Sequence, residues 1–405
     1  MRQDGSLRFE FSEAHRLKRI PPYIFSVVDN MKLEVQKKGI DTIDLSLGSP
    51  DLKPPQRVID KLKEALDRDD VHNYSRHDGE IEREFRKEIA NWYERKYNVS
   101  LNPDKEILQL IGSKEGIAHF ALGIINSEDI VIVPSPTYPA HFNGIIAAGG
   151  IVYYVPLLEE NNFVLDFKKI DPGILKLAKI LIVSYPQNPT TAVVSREFYE
   201  ELVDFFKNKE IIIISDTTYA DLIYDENVKP TSILQIKGAK DFCIEFNTFS
   251  KSYNMAGWRV GFAAGNPKLI EILKKTKSYI DFGVFKAIQL AAIEALKYCD
   301  DFIQEVKETY YDRITTFVEG LNRAGWRIEM PKSTFYVWAK IPLKYSALTS
   351  LEFTKVLLEE TGVVCSPGSG FGEYGEGYVR FAMVQNKQRI KEAVIRITRF
   401  LSRED

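Results

Sequence analysis

The stretch EIIIISD, residues 210–216, sets four isoleucines and a serine directly before an aspartate. A strand with one wet face alternates apolar and polar residues, whereas an unbroken run suits a strand buried on both faces of a mainly parallel sheet. Working outward, six more short apolar runs lie along residues 106–265: EILQLIG, DIVIVPSP, GIVYYVPL, KILIVSYP, FCIEFNTFS and WRVGFAAG. Between them, SKEGIAHFALGII (113–125) and REFYEELVDFFKNK (196–209) repeat apolar residues at helical spacing. Strand, helix, strand in this order predicts an α/β fold with helices on both sides of a seven-stranded sheet.

After Phe285 the pattern changes. Residues 286–299 and 301–325 read as long helices, followed by TFYVWAKIP and YVRFAMV as strands and two more helices. The expectation is a large domain of residues 46–285 and a smaller α+β domain built from 1–45 and 286–405. The length of 405 residues suits two packed domains. No internal repeat or low-complexity tract interrupts them.

The formal net charge is -3 and no long basic run is present, so nucleic acid is not an expected partner. LKKTKSYID (273–281) reads as the solvated face of a helix. Cys243, Cys299 and Cys365 are three in number, far apart and without a CxxC pair, which predicts free thiols in a reducing compartment. The first twenty residues lack the apolar core of a signal peptide, and no apolar run reaches membrane-spanning length. A cytoplasmic protein with no membrane partner is expected.

In an open α/β sheet, ligands bind outside the carboxyl ends of the strands. The polar residues there are 112–114, 135–138, 185–191, 216–219 and 248–251. Each has an ordinary reading by itself. Asp216 could cap a turn, YPQNPTT could be a proline-bracketed loop, IGSKEG could be a helix start, and most lysines like Lys251 are solvated. Together they ask for more, because a carboxylate and a lysine ending buried strands on one edge need partners. A ligand with a protonatable ring nitrogen, an aldehyde and a phosphate would satisfy all of them. Pyridoxal 5'-phosphate is such a ligand. Other motifs fall away. GSGFG (368–372) imitates part of a dinucleotide fingerprint, but glycines and a tyrosine follow where a helix should begin. The five histidines show no metal-binding spacing, so no metal is expected.

The order Asn188-Pro189, Asp216-x-x-Tyr219, Ser250-Lys251, Arg259 and Arg380 resembles the class I aminotransferases of PLP fold type I. The likeness runs from about Leu17 to the C-terminus. It points to the branch of bacterial glutamate–pyruvate (alanine) transaminases and LL-diaminopimelate aminotransferases. RIPPYIF, LIGSKEGIAH, FSKSYNMAGWRVGF, MPKSTFYVWAKIP and SPGSGFGEYGEGYVRFA carry that closer match.

The resemblance implies the following roles. Lys251 bonds the cofactor aldehyde and, once freed, moves the substrate α-proton. Asp216 pairs with the ring nitrogen, and a buried carboxylate there keeps it protonated. Asn188 and Tyr219 bond the ring hydroxyl oxygen, and Tyr138 stacks on the ring. Thr248, Ser250 and Arg259 hold the phosphate, joined by Ser113 and Lys114 at a helix start. Tyr74 reaches the phosphate of a neighbouring subunit in a homodimer with shared active sites. Arg380 grips the substrate α-carboxylate in a two-point contact, beside Asn188 and the Gly48 backbone, while Tyr23 closes over the substrate.

Two departures stand out. Relatives read Asn-Pro-Thr-Gly where this chain has Thr191, and residues 77–88 form a longer spacing before the next helix. The expected reaction is a ping-pong amino transfer between an amino acid and a 2-oxo acid, with glutamate and pyruvate as the leading pair. LL-diaminopimelate or aspartate transamination and β-elimination by a PLP lyase are the alternatives. A non-enzymatic fold relative would have lost Lys251 or Asp216, and both are present.

Overall fold

The computed structural model describes residues 11–403. Its strands are β1 (Ile43–Asp44), β2 (Ile107–Leu110), β3 (Ile130–Ser135), β4 (Ile151–Pro156), β5 (Ala178–Ser184) and β6 (Ile212–Asp216). They continue as β7 (Cys243–Thr248), β8 (Gly261–Gly265), β9 (Tyr336–Lys340), β10 (Val363–Val364), β11 (Ser366–Pro367) and β12 (Tyr378–Ala382). All seven apolar runs along residues 106–265 are strands of one sheet, ordered β2-β8-β7-β6-β5-β3-β4. Neighbours from β7 to β4 pair parallel, and β8 runs antiparallel to both β2 and β7.

The unbroken apolar runs have a direct cause. Ile180 and Ile182 of β5 point into one core, while Leu181 and Val183 point into the other. Helices Ser113–Ile124, Ala140–Ala147 and Pro267–Ile280 cover the first face. Glu80–Tyr97, Arg196–Phe206 and Lys286–Tyr298 cover the second. No wet face remains to demand alternation.

The smaller unit is an antiparallel sheet, β11-β12-β9, with a two-stranded parallel pair in which Ile43 of β1 faces Val363 of β10. Its core joins Ile43 and Leu45 to helices Ser350–Thr361 and Lys387–Leu401. Helix Lys286–Tyr298, expected in the smaller domain, buries Ala287, Leu290 and Ala291 in the core of the larger one. The switch falls inside helix Asp300–Arg323, whose Val306 and Tyr310 share an apolar cluster with Tyr219 while Ile314 and Phe317 enter the small core. An amphipathic stripe shows that a helix has a partner and leaves open which sheet supplies it. Among the described residues, no helix is long and apolar enough to cross a membrane.

Candidate active site

Three neighbouring parallel strands bring their carboxyl ends to one edge. Ser184 at the end of β5 sits opposite Asp216 at the end of β6, and β7 ends beside them at Thr248. A cleft opens over this edge, floored by the large sheet and roofed by residues of the small unit. Lys251, Asp216, Tyr219, Ser113, Lys114, Tyr138, Asn188, Thr248, Ser250, Arg259, Gly48, Arg380 and Tyr23 all line it. Tyr74 does not. It is 74% exposed on the surface, its ring 4.8 Å from that of Phe282.

Lys251 stands on the single turn Phe249–Ser252 that follows β7. Thr248 caps that turn, its hydroxyl accepting from the Ser250 N–H and donating to the Val260 carbonyl. The lysine Nζ crosses the cleft and donates to the Gly48 carbonyl at 2.6 Å. Burial pushes the Lys251 amine down to about 7, and the Arg380 and Arg259 guanidiniums add to the effect. An amine poised there is neutral for a large part of the time near pH 7 and can take a proton.

Asp216 is buried, which alone would raise its carboxyl. Hydrogen bonds win: His141 Nε2 lies 2.9 Å from Oδ2, and Thr218 donates to Oδ1 through its backbone N–H at 3.0 Å and its hydroxyl at 2.7 Å. The carboxyl is held below its ordinary value. His141 is fixed in turn by Thr137, 2.7 Å from Nδ1. The result is an ionised carboxylate waiting at the floor of the cleft.

At one end, Gly112 (φ 82°) precedes helix Ser113–Ile124. A Cβ on Gly112 would come within 2.5 Å of the Arg259 Nη2 atom. The glycine therefore lets the backbone N–H groups of a helix start and an arginine converge on one spot, the chemistry of an anion cradle. Arg259 itself takes a left-handed turn (φ 56°) that aims it back into the cleft. Lys114 reaches over the Tyr23 ring at 5.2 Å, its amine lowered by burial and by Arg259.

At the other end Arg380, on β12, is 1% exposed. It donates from Nη1 to Asn188 Oδ1 and from Nη2 to the Ser46 carbonyl, both at 2.7 Å, and its Nε has no partner. Its guanidinium lies 4.1 Å from the centre of the Tyr336 ring and 4.6 Å from that of Phe371. Among the described residues no carboxylate pairs with it. A buried guanidinium with an idle N–H and no counter-ion is a receptor for a carboxylate.

Sequence reasoning missed His141, Tyr336, Phe25 and Ser46, and gave Thr218 no role within the run 216–219. His141 lies on helix Ala140–Ala147, six residues past the end of β3, and its helical position hid it. Tyr336 left no trace either. Thr191, the departure from glycine, adopts the left-handed conformation that glycine would take (φ 64°), with its carbonyl held by the Ser333 hydroxyl at 2.7 Å. Away from the cleft, Glu115, His119 and Asp281 gather closely enough for a metal, but the Lys277 ammonium already bonds both carboxylates. The three cysteines are buried and free.

Residues 40–397 match the family model for aminotransferase class I and II. The chain is 46% identical over 389 residues to the LL-diaminopimelate aminotransferase of Nitratidesulfovibrio vulgaris (strain Hildenborough), covering 96% of this chain and 99% of that one. It is 43% identical over 379 residues to the glutamate-pyruvate aminotransferase AlaC of Escherichia coli (strain K12), covering 94% and 91%. Among solved structures, apo-BacF from Bacillus subtilis matches with a TM-score of 0.92 at 37% identity, over 97% of this chain and 98% of that one.

Proposed function

Since this chain belongs to the class I and II aminotransferases, a family that uses pyridoxal phosphate, we propose that its cleft moves an amino group between glutamate and pyruvate. The single observation that carries the site is the convergence of Lys251, Asp216 and Arg380 on one cavity, with Arg380 buried and no carboxylate paired to it among the described residues.

The residues fit pyridoxal phosphate. Lys251 offers an amine lowered to about 7, Asp216 an ionised carboxylate, and Arg259 with the start of helix Ser113–Ile124 an anion cradle. When bound, the cofactor supplies an aldehyde that captures amines and a ring that accepts electrons. Asp216, kept ionised by His141 and Thr218, would hold the ring nitrogen protonated. Asn188 and Tyr219 would bond the ring hydroxyl oxygen, Tyr138 would stack on the ring, and Thr248 and Ser250 would hold the phosphate. Arg380, Asn188 and Gly48 orient the substrate carboxylate so that its α-proton meets Lys251 Nζ, and Tyr23 closes the mouth against water.

A second reading, LL-diaminopimelate with 2-oxoglutarate, is favoured by the 46% identity to the Nitratidesulfovibrio enzyme. A half-reaction screen separates the two. Protein with pyridoxal phosphate is mixed with one amino acid at a time, without acceptor, and its absorbance followed. Conversion by alanine and glutamate supports the proposal. Conversion by glutamate and LL-diaminopimelate but not alanine replaces it with the second reading. Release of pyruvate and ammonia without any 2-oxo acid would mark a lyase.

The proposal extends to a cytoplasmic homodimer. Tyr74 and Phe282, in ring contact, are 74% and 64% exposed, an aromatic pair of the kind that a second copy covers. In that assembly Tyr74 contacts the partner's phosphate. A monomer in sedimentation at micromolar concentration would refute this.

A further inference from the structure

We propose that Tyr336 is a positioning residue for the reaction: its phenol donates to the Tyr219 oxygen and so commits the Tyr219 proton to the cofactor's ring oxygen. The inference rests on the reading of the cleft as a pyridoxal phosphate site.

Three observations carry it. The Tyr336 and Tyr219 hydroxyl oxygens are 2.8 Å apart, and either can donate. Tyr336 is 2% exposed and lines the same cleft as Lys251 and Arg380. Its oxygen occupies the space where a side chain at position 48 would stand, since a Cβ on Gly48 would lie 1.9 Å from it. Tyr336 therefore touches three parts of the site: Tyr219 from the large unit, Gly48 from the N-terminal segment and Arg380, 4.1 Å from its ring centre on the neighbouring strand.

A phenol has one proton to give and two lone pairs to accept with. Without a ring oxygen nearby, the pair can be bonded in either sense. Once Tyr219 gives its proton to that oxygen, only the sense from Tyr336 to Tyr219 remains. Hydrogen bonds in such a chain polarise one another, so the donation from Tyr336 strengthens the one from Tyr219. A stronger donor at the ring oxygen favours its deprotonated form. The other titratable groups facing this pair are Lys251, Asp216, Arg380, Tyr138, Tyr23 and Tyr310, and none of them hydrogen-bonds either phenol in the described residues.

The test is a pH titration of the absorbance of the lysine-bound cofactor in wild type, Tyr336→Phe, Tyr219→Phe and the double variant. Tyr336→Phe removes one oxygen and keeps the ring over Arg380. Its midpoint is expected to rise by about half a pH unit, the size of a weakened charge-assisted hydrogen bond. Tyr219→Phe should raise it further, and adding Tyr336→Phe to that background should change nothing. A wild-type midpoint in Tyr336→Phe overturns the inference, as does an equal shift in both backgrounds. Wild-type protein with no lysine-bound absorbance would instead overturn the reading of the cleft, and this inference with it.

Discussion

Arg380 has an idle Nε and two committed Nη atoms, so a substrate carboxylate meets a guanidinium already fixed in its plane by Asn188 and Ser46. Arg380→Lys keeps the charge and loses that plane. We expect the apparent KM for every amino acid to rise about 10–100-fold, with a smaller change in kcat. Steady-state kinetics on two unrelated amino acids checks this, and an unchanged KM for both would exclude Arg380 from carboxylate binding. Lys251→Ala, by contrast, should fold and bind no cofactor covalently, seen as a missing absorbance band in protein with wild-type circular dichroism. Lys251 was legible in the sequence because a charge at the end of an apolar run is conspicuous, whereas Arg380, in the middle of β12, was reached only through the family resemblance. His141 and Tyr336 were not legible. A histidine on a helix three residues after Tyr138 looks like any helix-face residue, and Tyr336 meets Tyr219 only because the chain folds back across 117 positions.

Among the elements, the loop that carries Gly48 is held from both sides. Strand β1 pairs with β10 just before it. Just after it, Asp51 receives both Nη atoms of Arg313 at 2.7 and 3.0 Å. Gly48→Ala would force its Cβ against the Tyr336 hydroxyl, so the loop must move and Lys251 must lose its carbonyl partner. A displacement of about 1 Å at a reacting group lowers turnover by about 10²-fold, and kcat of Gly48→Ala tests for that loss. Retained activity would show that the loop yields without disturbing Lys251. The strands of the large sheet were legible because burial on both faces writes a continuous apolar run. The destination of helix Lys286–Tyr298 was not, since its apolar stripe would have served either core. Thr191 shows a further limit. Its neighbours impose a left-handed turn on a β-branched residue, and local preference alone would have placed the turn elsewhere.

For the whole molecule, one buried carboxylate outside the cleft governs a pH dependence. Glu245 accepts from Tyr93 and Ser232 at 2.8 Å and from the Ile233 N–H at 3.1 Å. Burial nevertheless pushes its carboxyl up to about 7 from 4.5. The folded protein then holds a proton that the unfolded chain has released. Its contribution is full below pH 4.5 and is lost as pH rises through about 7. The loss amounts to about 3 kcal/mol. His77, lowered to about 4 by burial and by Arg86 and Lys274, acts in the opposite sense over part of this range. The decline is therefore read as the difference between wild type and Glu245→Gln in denaturant unfolding of cofactor-free protein from pH 4.5 to 8. Parallel curves for the two proteins would assign the carboxyl an ordinary acidity.

The pairing of β1 with β10 also has a meaning for synthesis. A ribosome makes Gly48 early, Lys251 midway, and Val363, Val364 and Arg380 near the end of 405 residues. The lysine therefore has no fixed carbonyl to donate to and no roof above it until Arg380 has been made and folded back, and until then its amine keeps the ordinary acidity of an exposed lysine.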